Sequence, residues 1–175
     1  MLNNVPQFIE NAQANGIEII QSLNEPESSL HLLSNWLTKR PKNLTIRAAP
    51  ELKNSLANLS NNCSFGSTSG EHSICISKAI AGIADTGTIV LASSATSPTL
   101  LNFLSEHHVV ILESQLIMSN KSEFWRWLSA HEKALPRALN FISGPSRTAD
   151  IEQTIQIGAH GPRHLTLIIE DQSFT

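Results

Sequence analysis

Two kinds of apolar pattern alternate along this chain, and that alternation restricts its fold more than any single motif does. Val5, Phe8, Ile9 and Ala12 recur at helical spacing, Gly16 follows as a stop, and Ile17-Glu-Ile-Ile20 reads as a short strand. Ser28 or Ser29 opens a second helical stripe through Leu30, Leu33, Trp36 and Leu37, with Pro41 beyond its end. Leu44-Thr-Ile46 is β-like, and Pro50 to Leu59 reads as a helix with proline in its first turn. Isoleucine and alanine return from Ile74 to Ile83. Strands are expected at Thr88–Leu91, Val109–Leu112, Leu139–Ile142 and Leu165–Ile169. Helices are expected at Pro98–Glu106, around Glu123, Phe124, Trp127 and Leu128 behind Ser122, and at Ala149–Ile157. Such a sequence predicts an α/β fold of three layers around a largely parallel sheet. In sheets of that kind, ligands sit beyond the carboxyl ends of the strands.

A length of 175 residues suits one domain, residues 1–175, with a proper core. A net charge of −3 argues against nucleic acid or anionic lipid as partner. No apolar run reaches the roughly 18 residues of a membrane span. Met1-Leu-Asn-Asn-Val-Pro has neither a basic nor an apolar leader region, so a cytoplasmic location is expected. The two cysteines, Cys63 and Cys75, form no C-x-x-C pair, and no iron–sulfur or zinc site is expected in this chain. Asn61–Gly70 is polar and Gly/Ser-rich, a loop, and it lacks the Gly-Lys-Ser/Thr of a phosphate-cradling loop. Neither a dinucleotide fingerprint nor a Gly-x-Ser-x-Gly elbow occurs.

Three segments carry chemistry. In Phe141-Ile-Ser-Gly-Pro-Ser-Arg-Thr-Ala-Asp-Ile-Glu152 an apolar run ends at Ser143-Gly144-Pro145 and a helical pattern opens behind it. A helix start there would offer free N–H groups, with Ser146, Arg147, Thr148 and Asp150 in its first turn. That is an anion site, or simply a capped helix. In Ala84-Asp-Thr-Gly-Thr88, Asp85 is either a general base in a pocket wall with Thr86, Gly87 and Thr88, or the first residue of a tight turn. Gly158-Ala-His-Gly-Pro-Arg163 places His160 and Arg163 before the last strand. The spacing of His160 and His164 is interrupted by Gly161-Pro162, so no metal site is expected. His107 and His108 read as solvent-facing residues ahead of a strand.

In order and spacing, Gly82–Leu91, Ile142–Glu152 and Gly158–Arg163 resemble the lactate-utilisation (LUD) domain family, in particular its C-type subunit. The resemblance extends more weakly to Phe8-Ile-Glu-Asn-Ala-Gln-Ala-Asn-Gly16 and the strand after it, although the family's longer Arg-containing N-terminal helix has no counterpart. It implies a fold of the NagB/RpiA/CoA-transferase-like group. It also implies a role in the oxidation of L-lactate to pyruvate as an accessory subunit, with iron–sulfur clusters on partner proteins and none in this chain. A small anionic ligand would lie in a cleft of Asp85, Thr86, Gly87, Thr88, Ser143, Gly144, Ser146, Arg147, Thr148, Asp150, His160 and Arg163. Arg147 would grip its charge, Gly87 would permit close approach, and Asp85, the candidate catalytic group, would orient a hydroxyl. The fold analogy also admits a stand-alone isomerase or acyl/CoA-transfer enzyme acting on an anionic metabolite.

Overall fold

The computed structural model describes residues 4–21, 28–41, 43–56, 63–65, 72–94, 103, 105–131, 135–151, 154–157 and 161–170. Helix α1 (Val5–Ala14) is followed by β1 (Glu18–Gln21), α2 (Ser29–Thr38) and β2 (Ile46–Ala48). A 3-10 turn at Pro50–Leu52 leads into the short α3 (Lys53–Leu56), then β3 (Cys63–Phe65), β4 (His72–Lys78), β5 (Ala81–Ile83) and β6 (Thr88–Ala92). Next come β7 (Ser105–Glu113), β8 (Ile117–Met118), α4 (Lys121–His131) and β9 (Leu139–Ile142). The last elements are β10 (Arg147–Ile151), β11 (Thr154–Ile157) and β12 (His164–Glu170).

Six strands in the order β1-β12-β7-β4-β2-β3 form the central sheet, and all its pairings are parallel. The strand Val109-Val-Ile-Leu112 is apolar throughout because both of its faces are covered. Val110 and Leu112 join Phe8 and Ala12 of α1, while Val109 and Ile111 join Leu33 and Trp36 of α2. Phe8 and Leu33 are wholly buried, and each such side chain contributes about 1.5–3 kcal/mol to the layer it closes. A second sheet of four strands, β8-β5-β6-β9, is mixed and carries α4 through Phe124 and Leu128. Its Ile89 and Leu91 pack back against the α1 side of the central sheet. The architecture is the three-layer α/β arrangement with a parallel central sheet.

Local signals explain the helix ends. Pro6 suits the first turn of α1, and Gly16, at φ +85°, takes the left-handed conformation that ends it. The Ser28 side chain caps α2 by accepting from the His31 N–H. The Glu170 carboxylate accepts from the Ser29 N–H and hydroxyl at the same end. Asn120, rather than Ser122, opens α4: its side-chain oxygen accepts from the Glu123 N–H at 3.0 Å.

Three expectations are overturned. Ala149–Ile157 is no helix: β10 and β11 pair antiparallel as a two-stranded ribbon. Ile151, Thr154 and Ile155 fit a helical stripe, but these β-branched residues favour extended backbone, and Thr154-Ile-Gln-Ile157 also alternates with strand period. Ser105 and Glu106 belong to β7, not to the end of a helix. Within the expected loop Asn61–Gly70, Cys63–Phe65 is extended and pairs with β2 as β3; the rest of that loop and residues 98–102 and 104 lie outside the described residues.

Candidate functional site

The C-terminal end of α1 organises the turns around it by close backbone approach. Gly87, at φ +59°, leaves so little room that a Cβ there would lie 2.3 Å from the Ala12 nitrogen. A Cβ on Gly144, at φ +133°, would lie 2.5 Å from the Asn15 carbonyl oxygen. The close approach that Gly87 permits is therefore to a helix. Asn11 and Asn15 fasten the 84–87 turn by donating to the carbonyls of Ala84 and Thr86, each at 2.8 Å. From that turn a chain of hydroxyls runs Thr86 to Thr88 to Ser143, with both contacts 2.7 Å long.

Arg147 is exposed at the start of β10, so the helix N-terminus expected at Ser146–Thr148 does not exist. A Cβ on Gly16 would come within 2.9 Å of an Arg147 guanidinium nitrogen, which places the cation at the carbonyl end of α1. That is the favourable end for a positive charge. Asp85 is exposed on its turn and its backbone N–H donates to the Ser119 carbonyl. Thr148 and Asp150 lie in β10, and His160 lies outside the described residues.

A cleft of about 240 Å³ opens on the α1 side of the central sheet. Ser143, Gly144 and Ser146 line it from the β9–β10 loop, Pro162 from the segment before β12, and His108 from β7. The two loops are tied where the Ser146 N–H donates to the Pro162 carbonyl at 2.9 Å. Exposed Arg163 follows Pro162, and its N–H donates to the Glu106 carbonyl. The structure thus brings Ser143, Gly144 and Ser146 into one cleft and links Thr88 to it, whereas Asp85 and Arg147 stand outside the lining. His108 and Leu165 place the cleft by the amino halves of β7 and β12, so it does not lie beyond their carboxyl ends.

His108 is the residue that sequence reasoning missed. It is fully buried, not solvent-facing, and its Nε2 lies 2.7 Å from the Ser77 hydroxyl of β4. Among the described residues, its Nδ1 has no hydrogen-bond partner. Burial, helped by neighbouring His107, lowers its pKa to about 4, so the ring is neutral at physiological pH. A histidine breaking into the apolar run Val109–Leu112 was the available signal. His107, one residue earlier, faces α2: its Nε2 lies 2.7 Å from the Thr166 hydroxyl, which donates to Glu18 at 2.6 Å. Because Thr166 gives its proton to the carboxylate, His107 Nε2–H is the donor in that contact.

Cys63 and Cys75 lie in β3 and β4, and burial raises both thiol pKa values. They are therefore thiols rather than reactive thiolates. Among the described residues, no three His, Cys, Asp or Glu side chains converge as a metal site, and no helix is long and apolar enough to cross a membrane.

A model of the LUD domain family matches residues 64–169. The chain is 34% identical over 94 residues to Lactate utilization protein C of Halalkalibacterium halodurans, an alignment covering 51% of this chain and 41% of that protein. It is 33% identical over 94 residues to Lactate utilization protein C 1 of Bacillus mycoides, covering 51% and 40%. The chain thus spans about two fifths of the length of these curated relatives. In three dimensions it resembles the crystal structure of a DUF162 family protein from Deinococcus radiodurans, with TM-score 0.71, 18% identity and 95% of each chain covered. That likeness concerns the fold alone.

Proposed function

The chain belongs to the LUD domain family, and on that footing we propose that it is an accessory subunit of an iron–sulfur-dependent system oxidising L-lactate to pyruvate. Its cleft is the place for a small anionic ligand. The relatives named Lactate utilization protein C support the setting. The observation that carries the reading is convergence. The three sequence blocks behind the resemblance meet at one cleft: Thr88 reaches Ser143 by a hydroxyl contact, and Ser146 reaches Pro162 by a backbone hydrogen bond.

Size and chemistry both favour a small acid. A volume of about 240 Å³ falls below the roughly 300–1,000 Å³ of pockets for drug-sized molecules, so a ligand of a few heavy atoms fits best. The Ser143 and Ser146 hydroxyls can donate to a carboxylate, and Arg163 adds positive charge beside the lining residue Pro162. Electrons from the substrate would leave through clusters on partner proteins.

Two measurements test this together. Tagged protein captured from lactate-grown cells should bring down iron–sulfur proteins. L-lactate or pyruvate should raise the Tm of the purified chain by mass action, and Ser146→Asp, which sets a like charge in the cleft, should remove that shift. Turnover of an acyl-CoA or sugar phosphate by the isolated chain would replace the accessory role with a stand-alone enzyme.

A further inference from the structure

The Ser77–His108 pair has hydrogen-bonding capacity that the protein itself leaves unused. His108 sits at 0% exposure in the lining of the cleft, and its Nε2 is taken by Ser77, which does not line it. The other ring nitrogen, Nδ1, is without a partner among the described residues. Buried polar atoms are nearly always satisfied, so an orphan on a ring that lines a cleft is a group that a ligand atom can complete. A neutral imidazole carries one N–H and one lone pair, and Ser77 can serve either nitrogen state. When the Ser77 hydroxyl donates to Nε2, Nδ1 carries the proton and is a donor. When Nε2–H donates to the Ser77 oxygen, Nδ1 is an acceptor. Rotating one hydroxyl and moving one ring proton therefore changes what the cleft can hold.

We propose that His108 Nδ1 binds the oxygen on the second carbon of a small 2-hydroxy or 2-oxo acid, and that Ser77 lets it accept from the hydroxyl form or donate to the carbonyl form. This rests on the reading of the cleft as a small-acid site and adds the group that recognises the acid's functional carbon. The two oxidation states of such an acid differ there in a single respect: a hydroxyl can donate, and a carbonyl can only accept. A ring fixed with Nδ1 unprotonated would hold the hydroxyl form and reject the carbonyl, and the donor tautomer is the one that serves the carbonyl. His108 is a binding residue in this scheme, and Ser77 is a positioning residue that acts through it. The ring gains or loses no net proton, so both forms are held by a neutral site, consistent with a pKa near 4.

Calorimetric titration of the whole chain with L-lactate, pyruvate and propionate provides the test, propionate lacking the oxygen in question. The wild type should prefer both oxygenated acids over propionate by about tenfold, equivalent to about 1.4 kcal/mol. His108→Gln keeps a polar atom near the Nε2 position and should lose that preference. His108→Asn keeps one near Nδ1 and should retain part of it. An unchanged preference in His108→Gln overturns the assignment and leaves the small-acid cleft standing. Binding of none of the three acids by the wild type overturns the cleft reading and this inference with it. Should either variant fail to fold, ¹⁵N spectra of the wild-type histidine rings decide. Nδ1 should be unprotonated with lactate and protonated with pyruvate, and ring signals identical in the two saturated complexes overturn the proposal.

Discussion

His107 and His108 are neighbours on β7, yet alternation along a strand sends them to opposite faces of the central sheet. On the α2 face the Nε2 of His107 is engaged and its ring is packed against an aromatic neighbour. It meets Thr166, which meets Glu18, and its ring centroid lies 4.8 Å from that of Trp36 in a T-shaped arrangement. The Trp36 N–H and Arg40 also reach Glu18, and the Arg40 guanidinium lies 4.3 Å over the Trp36 ring. On the α1 face His108 has Ser77 and an open nitrogen. Burial is the main cause that lowers both rings to about 4. Low basicity therefore does not separate a structural histidine from a binding one. What separates them is the buried ring nitrogen that His108 leaves open beside a cleft.

The contrast can be broken most severely at Gly87. A Cβ 2.3 Å from the Ala12 nitrogen, on backbone at φ +59°, must push α1 off the cleft face. Gly87→Ala should cost about 3 kcal/mol or more, read by urea unfolding, whereas a loss within about 1 kcal/mol would mean the contact yields easily.

Acid should attack both faces at once. Each histidine is neutral in the fold down to about pH 4, while its unfolded counterpart takes up a proton near 6.5. Between those values the unfolded chain binds more protons, so stability falls as pH drops from 6.5 to 4 and is constant in this respect above and below. Burial first, and then neighbouring His107, holds His108 low, and His108 contributes on the order of 3 kcal/mol across that range. His107 is held low also by His164 and Arg40 and is opposed by Glu18. Unfolding free energies across this range should flatten in His108→Gln, and an unaltered slope would place the titration elsewhere.

Thr166→Val sharpens the comparison from the other side. It deletes the hydroxyl between His107 and Glu18 and should cost about 1–2 kcal/mol of stability while leaving small-acid affinity unchanged. A loss of affinity in that variant would couple the two faces. The smallest effect is expected at Arg147. Its guanidinium lies by the carbonyl end of α1, so Arg147→Ala should cost less than about 1 kcal/mol, measured by the shift in Tm.

Much of this fold was legible in the sequence because the central strands are continuous apolar runs with covered faces. Val109–Leu112 and Leu165–Ile169 fall inside β7 and β12, and Val5–Ala14 is α1. The ribbon at β10–β11 was not legible, since Ile151, Thr154 and Ile155 satisfy a helical period and the choice is made by pairing across the chain. Ser143, Gly144 and Ser146 could be picked from their turn chemistry, and the structure brings them to one cleft. Ser77 and His108 could not be paired from sequence: each sits among other polar residues of its strand, and only register brings β4 beside β7. For the same reason Arg147 looked like an anion clamp, when its surroundings are the end of a helix that lies far away in sequence.

The strand order also has a temporal meaning. β12 sits between β1 and β7, and its Thr166 reaches Glu18 across 148 residues. During synthesis β1 and β7 are made long before the strand that joins them, so each presents an unpaired edge while it waits. Contacts this distant in sequence slow folding and prolong the exposure of such edges. The sheet therefore closes only when His164–Glu170 has left the ribosome, and until then β1 is without its partner strand.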